Sequence, residues 1–255
     1  MQEWRSGGHA DPLHRLSLLA ELGCIAFAVL LAFCVLRALY VRRRLRAVGA
    51  LSEADRGALR ERIAALERGT SGELAVVVVE RSDDHPQAAA LAALATWFAG
   101  STLLAPLLPW NEPALLIACQ LVLLGAGYGL ACTLPGFLQL FIGDRRATHM
   151  AEEQALQEFA RLGLHATRAR NGALLYVSLL EREVVVLGDQ AIDERIGADG
   201  WAAAHAAIRA GIRRASLRAG LEAGIAAIEQ VLRAHFPAPP EPRRELPDHV
   251  IVRER

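Results

Sequence analysis

The stretch Leu74-Ala75-Val76-Val77-Val78-Val79 decides the fold. It is apolar and β-branched throughout, with no alternation of polar residues. Such a run reads as a strand covered on both faces, which is the habit of sheets sandwiched between helices. On its N-terminal side, Ser52 to Arg68 has the spacing of a helix. Ser52 is placed to cap it, with Asp55 three residues on as the carboxylate of a capping box. Leu59, Ile63 and Leu66 recur on one face, and Gly69 is a suitable stop.

On the other side the pattern changes. Two apolar blocks, Ala88 to Leu108 and Ala114 to Leu134, contain no ionised side chain. Each is near the ~20 residues needed to cross a bilayer as a helix. Pro109-Trp110-Asn111-Glu112-Pro113 joins them, which predicts a membrane hairpin with Trp110 at a headgroup interface. A third block, Leu16 to Tyr40, precedes the soluble part. Arg42, Arg43, Arg44 and Arg46 crowd its end, whereas the tail before it has only Arg5 and Arg15. The arginine run and the missing small-residue cleavage site argue against a removable leader. Arg145 and Arg146 follow the hairpin. Arginine placement therefore predicts the N-terminus outside, Arg42 to Arg46 inside, Trp110 outside, and everything after Gly143 inside.

Beyond the hairpin, Ala147 to Leu162 is expected to be helical, with Leu156, Phe159 and Leu162 buried and Gly163 as terminator. Ala173 to Leu179 and Glu183 to Leu187 read as strands joined by a tight turn at Leu180-Glu181-Arg182. Trp201 to Arg214 and Leu217 to Ala234 read as helices, the second burying Leu217, Leu221, Ile225, Ile228 and Leu232. Pro237 to Pro242 ends the helical part, and His249-Val250-Ile251-Val252 is placed to add an edge strand. The expected plan is α/β: a three-layer α/β/α domain with a small mixed sheet, interrupted by a transmembrane helical hairpin and preceded by one transmembrane helix. Its parts are a tail (1–15), a membrane helix (16–40), the first part of the domain (51–87), the hairpin (88–134), the second part (145–236) and a Pro-rich tail (237–255). Two crossings return the chain to the side it left, so the first strand can join the later two in one sheet.

Composition narrows the chemistry. The chain has 255 residues, 28 positive and 28 negative side chains, and no lysine. P-loop, Schiff-base and Ser-Lys mechanisms are thereby excluded, because an arginine guanidinium does not give up its proton. A formal net charge of zero provides no field that favours nucleic acid. All four cysteines, Cys24, Cys34, Cys119 and Cys132, lie in the apolar blocks without CxxC or Cys/His spacing, as expected of buried thiols. Three segments with almost no ionisable residues provide no ion path, so transport is not expected.

Four stretches in order resemble the TPM-domain family, a small α/β/α domain of photosystem-maintenance proteins and many bacterial membrane proteins. They are Thr70-Ser71-Gly72-Glu73 with the Val-rich strand, Arg170 to Ser178, Glu181 to Asp189, and Ala219 to Ile225. The resemblance covers roughly 51–80 and 147–235 and includes a bacterial subset with a two-helix membrane insertion. It implies a domain fold, with activities ranging from assembly factors and accessory subunits to acid phosphatases that bind a divalent metal through acidic loop residues. Two departures weigh against the phosphatase. Arg170 stands where the family often has aspartate before Asn-Gly, and Gly188 to Asp193 replaces a Gly-x-Gly-x-Glu stretch.

The expected topology gathers two sets of polar residues. Ser71, Glu73, Arg170, Asn171 and Asp189 fall at one sheet edge, where they would form a structural Arg–carboxylate bridge or, alternatively, an anion site. Asp83, Asp84 and His85 meet Glu181 at the opposite edge. Asp83, Asp84 and Glu181 are candidate oxygen ligands for Mg²⁺ or Ca²⁺, though a solvated acidic turn at a helix start is the stronger reading. His149, Glu152 and Glu153 do not make HExxH, and Ser71 lacks a nucleophile-elbow pattern, so no catalytic residue is assigned. The resulting expectation is a non-enzymatic, membrane-anchored domain that binds a membrane-protein partner in the assembly or maintenance of a complex, without a required cofactor. A divalent-metal-dependent phosphatase is the alternative. The sequence sets no oligomeric state.

Overall fold

A computed structural model describes residues 51–197, 200–214, 216–238 and 250–253, together with helical positions 25, 29, 32, 33, 36, 39 and 40. The rest of the first apolar block, the tail before it and the arginines at 42–46 lie outside the described residues, as does most of the Pro-rich tail. The chain divides into two compact units, Met1–Arg42 with His85–Phe141, and Arg43–Asp84 with Ile142–Arg255.

The second unit is the α/β domain. Its first helix, α1 (Glu53–Glu67), begins where expected: the Ser52 hydroxyl accepts from the Asp55 amide at 3.1 Å, and the Asp55 carboxylate accepts from the Ser52 amide at 3.0 Å. The Ser52 hydroxyl also donates to the Asp55 carboxylate at 2.7 Å, and this bond first, then the one from the Ser52 amide, holds the Asp55 carboxyl below its ordinary value. Leu59, Ile63 and Leu66 form its buried face. The strand β1 (Glu73–Val79) follows and is buried at every position.

In the first unit, α2 (Pro86–Leu103) and α3 (Pro113–Thr133) occupy the two apolar blocks. They run antiparallel, since Gly100 meets Leu123 while Gly127 meets Ala93 and Thr96. Ser101 donates to Gln120 at 2.6 Å between them. The Trp110 indole donates to the Ala105 carbonyl at 2.7 Å and closes the turn. Among the described residues, α3 is the helix long and apolar enough to cross a membrane, with a mean hydropathy of 2.0. The shorter α2 does not meet that standard, because polar Gln87, Ser101 and Thr102 lie near its ends.

The chain re-enters the α/β unit at α4 (Asp144–Arg161), then forms β2 (Gly172–Ser178), β3 (Glu183–Gly188), α5 (Gln190–Ile196), α6 (Ala202–Arg214), α7 (Leu217–His235) and β4 (Val250–Arg253). The sheet order is β3-β2-β1-β4. β1 and β2 are parallel, from Glu73 opposite Gly172 to Val79 opposite Ser178. β2 and β3 are antiparallel, from Ala173 opposite Gly188 to Ser178 opposite Glu183. The expected fourth strand is present and lies parallel to β1.

Alternation distributes β1 between two cores. Leu74, Val76 and Val78 pack with α1, α6 and α7 through Ile63, Ile208 and Ile225. Ala75, Val77 and Val79 face the other way, with Ala151 and Ala155 of α4. Helices thus cover both faces of a small mixed sheet. One expectation fails: Leu156 is 59% exposed. The buried stripe of α4 is Ala147, Ala151 and Ala155, with Phe159 and Leu162 only partly buried. Residues four apart stack on one helical face, and alanines there permit a close approach to the sheet.

Candidate functional site

The first sheet edge is built around Gly172. A Cβ there would lie 2.3 Å from the Leu164 carbonyl oxygen, so the backbone accepts only glycine. Just before it, Arg170 adopts a left-handed conformation (φ 52°), which side chains other than Gly, Asn and Asp seldom take. Backbone bonds hold it there: its amide donates to Thr167 at 3.1 Å and its carbonyl accepts from Ala191 at 3.1 Å. Asn171 reaches across to β1, with its side-chain amide donating to the Ser71 carbonyl at 2.6 Å. The Asn171 carbonyl accepts from the Glu73 amide at 3.3 Å. Four of the five residues expected at this edge thus form two pairs, Ser71 with Asn171 and Arg170 with Asp189. Glu73 is buried and joins through its backbone.

Asp189 is buried and caps α5, accepting from the Gln190 amide at 2.8 Å. Its other oxygen, Oδ2, lies 2.9 Å from Arg170 Nε. The N–H does not point along that line, so Oδ2 has an ionic contact without an aligned hydrogen bond. Asp193, one turn further along α5, went unnoticed in the sequence. Burial and then the charge of Asp189 push its carboxyl up. The four-residue spacing behind a cap residue was the available signal.

At the opposite edge the carboxylates are engaged by the protein. Glu181 is buried; its Oε1 accepts from the Ser82 amide at 2.9 Å and from the Asp83 amide at 3.4 Å. Its Oε2 accepts from the Ser178 hydroxyl. The Ser82 hydroxyl in turn meets the Tyr176 hydroxyl at 3.0 Å. Asp83 is paired with Arg146 at 3.1 Å, and exposed Asp84 with Arg81 at 3.2 Å. His85 is buried and left-handed (φ 49°) at the start of α2. Arg145 is exposed.

Among the described residues, no group of three or more His, Cys, Asp or Glu side chains is arranged to hold a metal. The donors expected for one do not suit a divalent ion. Glu181 directs both oxygens at protein hydrogens, and guanidinium groups stand against Asp83 and Asp84.

A third cluster was not visible in the sequence. Glu158 is buried on α4, with Oε2 accepting from Arg161 at 2.7 Å and Oε1 from Arg253 of β4 at 2.9 Å. The Glu158–Arg161 spacing is readable along a helix, whereas the partner from β4 is separated by most of the domain.

The family model of the TPM domain matches residues 46–104 and 141–231. The matched stretches contain β1, α2, β2 and β3, and leave out α3 and β4. Among solved structures, the chain is similar to the NMR structure of BA42 protein from the psychrophilic bacterium Bizionia argentinensis. The two share 19% identity at a TM-score of 0.50, over 79% of this chain and 94% of that one. At this identity the likeness concerns the fold alone. No curated protein matches.

Proposed function

Because the chain belongs to the TPM-domain family, we propose that it is a membrane-anchored TPM-domain protein whose α/β unit binds a protein partner in the assembly or maintenance of a membrane complex. The observation that carries this is α3, an apolar helix of 21 residues with large side chains such as Leu121 and Val122 facing outward. Its window of highest hydropathy is only 11% buried within the protein, so it needs an apolar environment from elsewhere. With α2 and the block 16–40 it would anchor the chain in a bacterial inner membrane. The arginines at 42–46 and at 145–146 would keep the N-terminus outside and the α/β unit in the cytoplasm.

The non-catalytic reading is supported by the state of the polar edges. Glu181, Asp83 and Asp189 already face protein partners that hold them in place. In-membrane cross-linking of the full chain is the test, with reproducible recovery of one abundant membrane protein as the expected result. Random recovery would defeat the partner reading. The phosphatase alternative is checked by offering an aryl phosphate and Mg²⁺ or Ca²⁺ to the full chain in detergent. Metal-dependent turnover that disappears in Asp189→Asn would replace the proposal. Orientation is tested separately: a cysteine introduced beside Trp110 should label from outside intact cells, and labelling only after lysis would reverse it.

A further inference from the structure

The edge of β1 opposite β2 is covered unevenly. β2 pairs with all seven residues of β1, whereas β4 pairs with only Val76 to Val79. β4 also lies outside the stretches that match the family. The three other strands, with the helices on both faces, belong to the matched domain. Without β4, that domain would present the backbone of its most apolar strand as an open edge, a ready template for another extended chain.

The way β4 is held defines what this edge recognises. Val250 and Val252 enter the core formed with α1 and α7, and Ile251 enters the core formed with α4. Arg253 points to the same side as Ile251, and its guanidinium donates to the buried Glu158 at 2.9 Å. The Glu80 amide continues the ladder by donating to the Arg253 carbonyl at 3.3 Å. Recognition therefore combines parallel backbone pairing, three alternating apolar contacts and one arginine on a buried carboxylate. Arg161 also bonds Glu158, so the carboxylate keeps a charge partner when Arg253 is withdrawn.

We propose that the Val76–Val79 edge is a strand-addition site for an extended segment of a protein partner, three alternating apolar residues followed by arginine, and that β4 is its intramolecular occupant. Addition of a partner strand requires β4 to leave, so the appended strand competes with the partner for one site. Main-chain bonds supply affinity in this mode of binding and side-chain contacts supply selectivity. The inference deepens the partner-binding reading above and depends on it for its biological sense.

The test uses the full chain in detergent and a fluorescent peptide with the sequence of residues 248–255. Arg253→Ala loosens β4 without removing Glu158 or Arg161. This variant is expected to bind the peptide at least ten-fold more tightly than the wild-type chain, and to ignore a peptide of scrambled order. Glu158→Gln in the same background should lose most of that gain. Equal binding by the variant and the wild type, or equal binding of the scrambled peptide, would overturn the proposal. Hydrogen exchange on the wild-type chain provides a second measurement that needs no variant. The amides of 251–253 should exchange at least a hundred-fold faster than those of 174–177, and equal protection would mean that β4 is a permanent strand. Peptide binding without any cross-linked membrane partner would sink the functional reading and leave the site. A cross-linked partner without peptide binding would do the reverse.

Discussion

Replacing Glu181 by alanine separates the two meanings of the hairpin edge. In the structure this carboxylate ties the turn after β1 to the turn after β2. Its Oε1 holds the Ser82 amide at 2.9 Å and the Asp83 amide at 3.4 Å, while Oε2 takes the Ser178 hydroxyl. Ser82 and Ser178 are both buried, so water does not readily replace the lost acceptor. A buried donor stripped of its partner costs about 1–3 kcal/mol. One well-formed amide bond, one longer one and a hydroxyl bond together place the loss for Glu181→Ala at about 3 kcal/mol. Glu181→Gln retains a carbonyl for the amides, and its side-chain amide can donate to Ser178. Its cost should be about 1 kcal/mol. Urea denaturation of the full chain in detergent, followed by circular dichroism, reads both values. A Glu181→Ala chain within about 0.5 kcal/mol of wild type, the range of an ordinary surface substitution, would refute the clamp. So would a wild-type stability that rises with added Mg²⁺ and a Glu181→Gln stability that does not, because Glu181 would then be a ligand.

Three further outcomes follow from packing and charge. A Cβ at Gly127 would stand 2.8 Å from the Ala93 Cα, whereas Gly125 faces open space. Gly127→Leu should therefore splay α2 from α3 and abolish a disulfide engineered between positions 101 and 120, and Gly125→Leu should leave it intact. In α4, Ala155→Leu overfills a fully buried position and should cost about 1–3 kcal/mol, while Leu156→Ala at an exposed one should stay within about 0.5 kcal/mol. Burial first, then the charge of Arg209, holds the His205 imidazole below its ordinary value, against a backbone bond at Val184. The unfolded chain then binds this proton more readily, so stability from His205 is complete above about pH 6.5 and is lost as pH falls toward the depressed value. His205→Gln should flatten that acid slope in a urea titration, and an unchanged slope would assign it to other groups.

The parts of the fold legible in the sequence were those written in local pattern. The Val-rich run, the capping box at Ser52 and Asp55, and the face of α7 each follow from residues within a few positions of one another. Strand direction was legible too, because a long crossover makes β1 and β2 parallel and a tight turn makes β2 and β3 antiparallel. The error at Leu156 has a physical cause. Size suggests burial, but a helix lying close on a sheet buries its smallest residues. The short α5 was missed because seven residues carry little periodicity, although Asp189 as a cap and Gly197 as a stop bracket it. Site contacts between distant segments were partly foreseen from topology, as with Asn171 and Ser71. The Glu158–Arg253 contact was not, since nothing in either neighbourhood specifies the other.

The hairpin edge acquires its meaning from the ion pair between Asp83 and Arg146. The chain leaves the α/β unit after Asp84 and returns to it at Ile142. Asp83 lies just before the departure and Arg146 just after the return, and their side chains meet at 3.1 Å. The two ends of the inserted segment are therefore neighbours within the α/β unit, as the parallel register of β1 and β2 requires. Glu181 fastens the same departure point by taking the amides of Ser82 and Asp83. An acidic cluster that resembled a ligand set in the sequence is thus the fastening of an insertion into an α/β domain. The same geometry explains why two helices can be added there without disturbing the sheet: their entry and exit are joined, so the domain experiences the insertion as one loop.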